Sequence, residues 1–527
     1  MKASGRLGRS AASRVWILMA LLALSACGGG APATDNVLNG TAVGPVTGFG
    51  SVKIGGAVFS GDNATIVDDR GRKIDNVVEG MLLTVRGTID QGFHTGSAGT
   101  ITIERVVRGP VDDNAVDLAN NAILVLGQEV LVNPATVMVR SGGGEFGLGD
   151  LKTDQDNNSL RPELEVHGAR DLQGFLHATF VGRGQDNVVA NDNVGLQGEI
   201  QGLIGNTFRI EGQKVDYTGI KTDGKVNWPI LTGLSNGLVV DVRGRLDAVG
   251  GSGTVWTDRA GDRIEVKKSS LGNPLERVLI EGYVLSGTVS SSEMSAPGGI
   301  VKVNGGGPLT GGTFGVGQRV QVKGTVVGTA GTTVQASAIH VMRPNEVLME
   351  GAPDKGSIDP SAGTMKLLGQ KVAVDDLTLF RDGTGTVRKD FGLASLSDNN
   401  TVRVAGWFDG SVSTGKVVAT RVDRLSLTAP DNVTAQGVVV ENPIAGSFRI
   451  LGYPGIVVNT GLKLNTEYFL EGHVPTDVVA FFGNLSVGTT VVKVRRGVYQ
   501  GGPPRISEPD PGGALGTMEV EIVRVNN

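Results

Sequence analysis

A glycine-rich segment has the spacing of a dinucleotide-binding loop. Gly142–Gly147 fits the pattern G-x-G-x-x-G and follows the apolar run Val137–Val139. In such a site the pyrophosphate lies at the N-terminus of the helix that comes next. Here the next residues, Leu148–Leu160, are rich in Asp, Asn and Gly, which predicts no helix. We therefore expect Ser141–Asn158 to be a surface loop rather than a nucleotide site.

Two further segments have the spacing of a phosphate-binding loop. Gly219–Lys225 and Gly410–Lys416 each fit G-x-x-x-x-G-K. The next residue is Val226 in one and Val417 in the other, where a Ser or Thr would be needed to hold magnesium. No helix is predicted after either segment. Both are typical of hairpin turns in a glycine-rich β protein.

Metal-ligating residue types occur, but their spacing is poor. Asp154–Asn158 offers the alternating oxygen ligands that open a calcium loop. An EF-hand needs Gly at the sixth place, which is Ser159 here, and a carboxylate at the twelfth, where Glu165 is assigned to a predicted strand. Turn chemistry accounts for these residues, and a weak calcium site is the alternative. We predict no metal site and no cofactor.

The histidines do not form a zinc motif either. No two histidines are two or four residues apart in the sequence, and the chain has one cysteine. His167 and His177 fall on adjacent predicted strands, and we expect them to be a polar surface pair. No nucleophile elbow of the form G-x-S-x-G occurs. The sequence therefore predicts a protein that is not an enzyme.

Three tryptophans are the weak candidates for ligand binding. We place Trp228 and Trp256 in loops of the third repeat unit and Trp407 directly after Gly406. Loop aromatics are what an oligosaccharide-binding face would use for stacking. The alternative is that they pack partly into the core or cap the end of a barrel.

The single cysteine, Cys27, ends an N-terminal targeting segment. Four basic residues precede the apolar run Val15–Leu24, which is too short to span a bilayer and fits a signal peptide. Leu24–Cys27 resembles the lipobox of bacterial lipoproteins. The resemblance implies cleavage before Cys27 and acylation of its thiol and amine with fatty acids such as palmitate, which gives a stable membrane anchor. An ordinary signal peptide with a buried cysteine is the alternative.

By the same resemblance, Gly28 after the cysteine favours the outer membrane. Removal of residues 1–26 takes away four basic and no acidic residues, which changes the formal net charge from −5 to −9. Charges of both signs are interspersed, aromatic content is 5%, and there is no basic stripe. We therefore exclude nucleic acid as a partner.

A strand-and-turn unit recurs six times along the chain. Thr207–Val215 and Thr364–Val372 share the tetrapeptide Gly-Gln-Lys-Val. Looser copies are Ser51–Phe59, Ile123–Val130, Gly299–Gly307 and Ser447–Ile456. The alternation predicts that Phe208, Ile210 and Val215 point inward and Arg209 and Glu211 outward. The glycine of each unit is expected to supply the positive φ of a tight hairpin, at positions 56, 127, 212, 305, 369 and 452.

A second signature, a strand that closes on glycine, follows each unit. The closing glycines are expected at positions 87, 168, 244, 324, 406 and 472. We place the signal peptide at residues 1–26, the lipidated flexible tether at 27–42, and six β-modules at 43–106, 107–191, 192–276, 277–345, 346–430 and 431–527.

About five short strands per module predict an all-β chain of six small barrels. The five-stranded, partly open Greek-key barrel of OB type fits best, and a four- or five-stranded barrel of another topology is the alternative. Each unit is long enough to close its own core, so we expect separate beads on a string.

The pattern resembles a bacterial family known only as a domain of unknown function, which occurs in tandem in lipoproteins. Its marks are the opening at Gly48–Phe59 (GFGSVKIGGAVF) and the strand at Gly80–Gly87 (GMLLTVRG). Module one matches both, and the other modules match in pattern. The resemblance implies no catalytic residues.

Together these features predict a lipid-anchored, non-catalytic protein of the cell envelope. Because modules repeat without a repeated reactive residue, multivalent binding of a glycan polymer or an envelope protein is favoured. The alternatives are a passive spacer and an enzyme with its site in the polar segment Ser141–His177.

Overall fold

The computed structural model describes residues 37–525 except for short internal segments. Those segments are 62–63, 69–70, 75–76, 220–232, 249–252, 260, 268–269, 387–388, 411–414, 442, 445, 452–454, 462–463, 502 and 512–513. Cys27, Trp228 and the centres of both G-x-x-x-x-G-K segments lie outside the described residues. Residues Leu38–Asn527 form one compact unit.

Module one shows the architecture that the other modules repeat. Its strands are β1 (Leu38–Gly48), β2 (Val52–Ile54), β3 (Ala57–Ser60), β4 (Thr65–Val67), β5 (Leu82–Ile89) and β6 (Thr95–Ile103). β1 pairs antiparallel with β2 and β5, β2 with β3, and β5 with β6, while β3 runs parallel to β6. These pairings close a five-stranded barrel of OB topology, and β4 adds a short strand parallel to β6.

The remaining modules supply the other strands and two helices. Modules two and three contain β7 (Val107–Asp117), β8 (Ala122–Val125), β9 (Gln128–Leu131), β10 (Val137–Arg140), α1 (Leu148–Asn158), β11 (Glu163–Arg170), β12 (Leu176–Arg183), β13 (Asn193–Glu199), β14 (Gln201–Ile204), β15 (Thr207–Ile210), β16 (Gln213–Asp216), β17 (Val239–Leu246), β18 (Thr254–Trp256) and β19 (Arg263–Val266). Module four contains β20 (Arg277–Thr288), β21 (Ser291–Ala296), β22 (Gly299–Asn304), β23 (Leu309–Thr310), β24 (Arg319–Val327) and β25 (Thr333–Val341).

Modules five and six complete the chain. They contain β26 (Val347–Gly351), β27 (Thr364–Leu367), β28 (Gln370–Ala373), β29 (Leu379–Asp382), a 3-10 turn (Leu393–Ser395), β30 (Thr401–Asp409), β31 (Lys416–Ser426), β32 (Val433–Val438), β33 (Ser447–Ile450), β34 (Ile456–Asn459), β35 (Thr466–Leu470), β36 (Val474–Thr476), α2 (Val478–Gly483), β37 (Val491–Gln500), β38 (Arg505–Ser507) and β39 (Met518–Val523). In each of modules two to six the second strand of the hairpin pairs in parallel with the fifth strand of the barrel. The prediction of small OB-like barrels is confirmed.

The end of the segment expected to be a flexible tether, residues 27–42, is part of β1. β1 begins at Leu38, and Leu38 already pairs with Ile89 of β5. From Gly40 onward the strand is buried. The last five residues of the segment 27–42 thus belong to the first barrel strand, because β5 offers them backbone partners.

The hairpin unit folds as predicted in its buried positions. Phe208, Ile210 and Val215 are buried, while Arg209 and Lys214 are exposed. The glutamine that follows the turn glycine is also buried, at positions 128, 213 and 370, which the alternation alone does not predict. The buried amide serves the backbone: Nε2 of residue 213 donates to the carbonyl of Gly253 at 2.8 Å.

The glycines of the hairpin turns behave unequally. Gly56, Gly127 and Gly369 have φ between 67° and 84°, as predicted. In module three the positive φ belongs to Glu211 instead of Gly212. In module four the hairpin turn falls at Gly298, because Gly299–Asn304 is already the second strand of the hairpin. The positive φ predicted for Gly305 was therefore wrong. Gly452 lies outside the described residues.

The closing glycine has a packing role that explains the second signature. At Gly87, Gly168, Gly324 and Gly406 the register between the fourth and fifth barrel strands shifts by one residue. An added Cβ at any of these positions would lie far inside van der Waals contact with a carbonyl oxygen of the opposite strand. The strands can approach this closely only where the side chain is absent.

Module six corrects one assignment. Asn465–Gly472 was expected to be its closing strand, but the corresponding β35 pairs parallel with β39. The fourth barrel strand is β37, which pairs antiparallel with the first strand, β32. Its closing residue is Gly497, where a Cβ would overlap with Ile506. The insertion of β35, β36 and α2 moved the true signature further along the chain.

The modules are not separate beads, and that expectation was wrong. The first strands of modules two and three pair at Leu196 and Val107, and those of modules five and six pair at Met349 and Ala435. The first strands of modules one and four pair in parallel over four residues. Modules two and three share one continuous hydrophobic core, as do modules five and six.

A helix replaces the predicted surface loop in module two. α1 spans Leu148–Asn158, and Leu148 and Leu151 are buried in the module core. The Asp150 carboxylate accepts a hydrogen bond from the Gly147 amide at 2.8 Å, which stabilises the start of the helix. The burial of two leucines three residues apart outweighed the low helix propensity of the intervening Asp and Asn residues. None of the helices among the described residues is long and apolar enough to cross a bilayer.

The closing glycine gives a testable consequence for stability. Replacing Gly324 with Ala is expected to destabilise module four by about 1–3 kcal/mol, because the new methyl group overpacks against the carbonyl of Gln335. Hydrogen exchange of peptides from β24 and β25, followed by mass spectrometry, measures the effect. Gly315→Ala is the matched control, since no heavy atom lies within 4 Å of its Cβ position. Equal exchange in the two variants would contradict this account.

Candidate functional site

The two described tryptophans lie in strands and not in loops. Trp256 ends β18, and its Nε1 donates to Asp247 at 2.8 Å. Trp407 lies inside β30, where the Arg343 guanidinium sits 4.3 Å from its ring centroid. They belong to different modules, and each has a polar partner. This arrangement does not form a shared stacking platform.

The histidines of module two are buried, so the expectation of a polar surface pair was wrong. His167 is fully buried, with Nδ1 2.8 Å from the Glu104 carbonyl and Nε2 3.0 Å from Glu165. His177 contacts the Asp171 carboxylate at 2.8 Å and stacks on Tyr283 of module four at 4.4 Å. Both rings therefore have structural partners, and His177 takes part in the contact between modules.

The calcium-like segment lies within α1. Asp154 pairs with Arg183 at 2.5 Å, and Asp156 pairs with Lys152 at 2.5 Å. Among the described residues no three His, Cys, Asp or Glu side chains are grouped so that they could hold a metal ion.

The G-x-G-x-x-G segment is followed by a helix after all, contrary to the prediction. Its surroundings nevertheless differ from those of a dinucleotide site, because β10 runs parallel to β12 as an added barrel strand. The side chain of Glu145, inside the motif, is engaged by arginines of module five.

Glu145 is the centre of an ionic junction between modules two and five. Its carboxylate pairs with Arg381, with Arg403 at 2.6 Å and with Arg421 at 3.5 Å. Arg421 also pairs with the fully buried Asp423 at 2.6 Å. Burial alone would raise the pKa of Glu145, but the three arginines hold it below its ordinary value of 4.5. This junction fixes module two against module five.

Apolar side chains of three modules pack beside this junction. Val137, Val139 and Phe180 of module two contact Leu379 of module five, and Met81 of module one packs against them. A charged pair next to an apolar cluster is shielded from water, which strengthens it.

An open cleft lies where modules one to four meet. Its volume is about 450 Å³. Five carboxylates line it together with a single arginine, namely Glu104, Asp171, Glu199, Glu211, Glu293 and Arg170. Leu172 and Ile300 also line it and are each about half exposed. The cleft is therefore acidic with exposed apolar side chains.

A second cavity, of about 460 Å³, lies between modules two and six. We call it the two–six cavity. One wall is a row of cross-strand neighbours on β26, β32, β37 and β39, in which Leu348 faces Gln436, Gln436 faces Lys493, and Lys493 faces Glu521. Arg495 is on the same strand as Lys493 and also lines the cavity.

The opposite wall of the two–six cavity is mostly apolar and comes from module two. It includes Leu118, Val132, Pro134, Met138 and the start of α1 at Gly147–Gly149. Neither Gly147 nor Gly149 has a heavy atom within 4 Å of its Cβ position, so the start of the helix is open on this side.

Lys493 is the unpaired cation of this cavity. Its ammonium group forms no hydrogen bond or ion pair within the part of the chain that the structure describes, although the residue is partly buried. Desolvation, together with the charges of Arg495 and Arg403, lowers the pKa of Lys493 to about 8, against the opposing effect of Glu521 and Glu350. The neighbouring Glu521 is 2.7 Å from Arg495.

Sequence reasoning did not find Lys493 or Glu145. The alternation in Val491–Arg495 places Lys493 and Arg495 on one face, but β37 had not been recognised as a barrel strand. Glu145 carries no local signal, because its partners lie more than 230 residues away.

Comparison with known proteins adds a domain assignment. Residues 356–423 match a family described as a domain of unknown function (DUF5666), and they cover most of module five. A search of curated proteins found no match. Residues 356–423 are thus a DUF5666 domain, and the other modules resemble it in strand pairing.

The ionic junction predicts a pH-dependent loss of stability. Glu145→Gln should weaken the contact between modules two and five by about 1–3 kcal/mol, because three partly buried arginines lose their carboxylate. Since the pKa of Glu145 is lowered in the folded protein, its contribution is present above pH 4.5 and lost as the pH falls through the folded value. Chemical denaturation at pH 7 and at low pH measures both.

Glu129→Gln is the matched control, since the carboxylate of Glu129 forms no hydrogen bond or ion pair in the described structure. The account would be wrong if Glu145→Gln and Glu129→Gln unfolded alike at pH 7.

Proposed function

We propose that this chain is a non-catalytic binding protein of the bacterial cell envelope, anchored by lipid at Cys27. Its partner is a basic, partly apolar segment of another envelope protein, bound in the acidic cleft between modules one to four. The observation that carries the proposal is the composition of this cleft, five carboxylates against one arginine, with exposed Leu172 and Ile300.

Three of the cleft carboxylates form no direct ion pair with any described residue, although the charge of Glu211 acts on Arg170. Glu199, Glu211 and Glu293 form no ion pair within the described part of the chain. Glu293 accepts only a hydrogen bond from Ser286, at 3.2 Å. Carboxylates on the walls of a cleft attract cationic side chains and disfavour anionic ones. Leucine and isoleucine beside them add apolar area that a partner can bury.

The packing of the modules favours a composite site over six equal ones. An OB barrel binds ligands mainly on its second and third strands. Here the turn between those strands is used for contacts between modules. The Gln128 amide in module two donates to the Ile210 carbonyl of module three at 3.0 Å, and Gln321 of module four donates to the Gly55 carbonyl of module one at 3.1 Å. A repeated ligand face is therefore less well supported than a cleft between modules.

A glycan partner is also less well supported. The described tryptophans are held by Asp247 and by Arg343 in separate modules. A passive spacer would need no acidic cleft, and it is the function that remains if no partner binds there.

A fluorescent peptide of alternating lysine and leucine tests the proposal. We expect it to bind the 38–527 unit more tightly than its glutamate–leucine counterpart, with affinity that falls as salt rises. The triple variant Glu199→Gln, Glu211→Gln, Glu293→Gln should weaken binding at least about tenfold, which corresponds to about 1.4 kcal/mol. Fluorescence anisotropy measures the affinity.

Glu129→Gln combined with Glu265→Gln and Glu467→Gln is the matched control for lost charge. Equal binding of the two peptides, or equal effects of the two triple variants, would argue against the cleft as the site.

The anchor is tested separately. Cys27→Ser should abolish incorporation of labelled palmitate and release the protein from the membrane fraction, because the thiol and the processed terminus carry the acyl chains. Ser25→Ala is the control and should leave labelling intact. Membrane retention of the Cys27→Ser protein at wild-type levels would contradict lipid anchoring.

A further inference from the structure

We propose that the two–six cavity binds a small anionic amphiphile, a molecule with one carboxylate or phosphate group on a short apolar chain. The site is separate from the acidic cleft and takes the opposite charge, so it goes beyond the function proposed above. Its elements are the unpaired Lys493, the open start of α1 and the apolar wall of module two.

The cavity lining carries an excess of positive charge, with Lys493, Arg495 and Arg524 against Glu519 and Glu521. Glu519 and Glu521 are engaged by Arg495, which is 3.5 Å from one and 2.7 Å from the other, and Glu519 also pairs with Arg496. No carboxylate lies within ion-pair distance of Lys493 among the described residues, and the neighbouring Glu521, whose charge favours the ammonium form, is already held by Arg495. A partly buried, unpaired ammonium group is costly, and an anionic ligand would remove that cost.

Arg524 adds a second positive charge to the lining. Its guanidinium donates to the side chain of Asn120 at 2.6 Å. The carboxylate near Arg524 is that of Asp117, which accepts hydrogen bonds from the Asn120 side chain and from backbone amides. His473 also lines the cavity, stacked on Phe469 at 3.9 Å and 3.6 Å from Glu521. The ionisable lining is thus two arginines, one lysine, two carboxylates and one histidine.

The start of α1 reinforces this polarity. The Gly147 amide already donates to Asp150, but no acceptor in the described structure takes the amides of Leu148 and Gly149. The first amides of a helix lack acceptors within the helix and favour an anion. Both glycines face open space, so a ligand can approach the backbone closely.

The rest of the lining selects for an apolar chain. Leu118, Val132, Met138, Leu148 and Leu348 line the cavity opposite to or beside Lys493. The volume of about 460 Å³ lies within the range of about 300–1,000 Å³ that is typical of small-molecule sites. A free inorganic anion would leave this apolar surface in contact with water, so an amphiphile fits better.

Titration calorimetry of the 38–527 unit tests the site, with probes kept below their micelle concentration. We expect decanoate and decyl phosphate to bind, and acetate, inorganic phosphate, decanol and decyltrimethylammonium to bind at least tenfold more weakly. The two anionic decyl probes distinguish a carboxylate from a phosphate headgroup.

Variants assign the binding to this cavity. Lys493→Met should weaken decanoate binding at least tenfold, while Lys493→Arg, which keeps the charge, should retain it within about threefold. Lys371→Met is the matched control, because the Lys371 side chain is exposed on β28 of module five. Circular dichroism of each variant checks that the barrels are folded, and Lys493→Arg keeps the test valid if Lys493→Met is unfolded.

The proposal is overturned if decanoate does not bind, if decyltrimethylammonium binds equally well, or if Lys493→Met and Lys371→Met behave alike. Binding of acetate or inorganic phosphate as tight as that of decanoate would overturn the amphiphile class. None of these outcomes affects the peptide measurement at the acidic cleft, so the two proposals fail independently.

Discussion

Each barrel depends on one close approach between its fourth and fifth strands. At Gly168 and Gly406 the carbonyl of the opposite strand occupies the space that a side chain would need. The register shift at these glycines bends the strand pair so that a five-stranded sheet can close on itself. Because the barrel is small, no other residue at this point allows closure, and the glycine recurs while its neighbours vary.

Closure of the barrels then decides how the modules associate. The first strand of a closed barrel still has a free edge over part of its length, and in three pairs of modules these edges meet. The ionic junction at Glu145 adds a contact between two such pairs. The acidic cleft and the two–six cavity exist only because these contacts hold the modules together.

Much of the fold could be predicted from sequence, because its signals are local. The alternation around Phe208 and the glycine at position 406 each act within a few residues, and both led to the correct barrel. The helix at Leu148–Asn158 was missed because its stability comes from the burial of Leu148 and Leu151 in a core assembled from distant strands. Lys493 was missed for a similar reason: the cavity that it lines requires module two to lie against module six, which no local pattern encodes.

The central claim is that the six modules form one body with sites between them. Small-angle X-ray scattering of the 38–527 unit measures this most directly. A compact body of this length has a radius of gyration of about 23 Å. We expect a value close to that, unchanged between low and moderate salt. A value of about twice that size would show that the barrels are strung out in solution, and it would contradict both the junctions and the sites between modules.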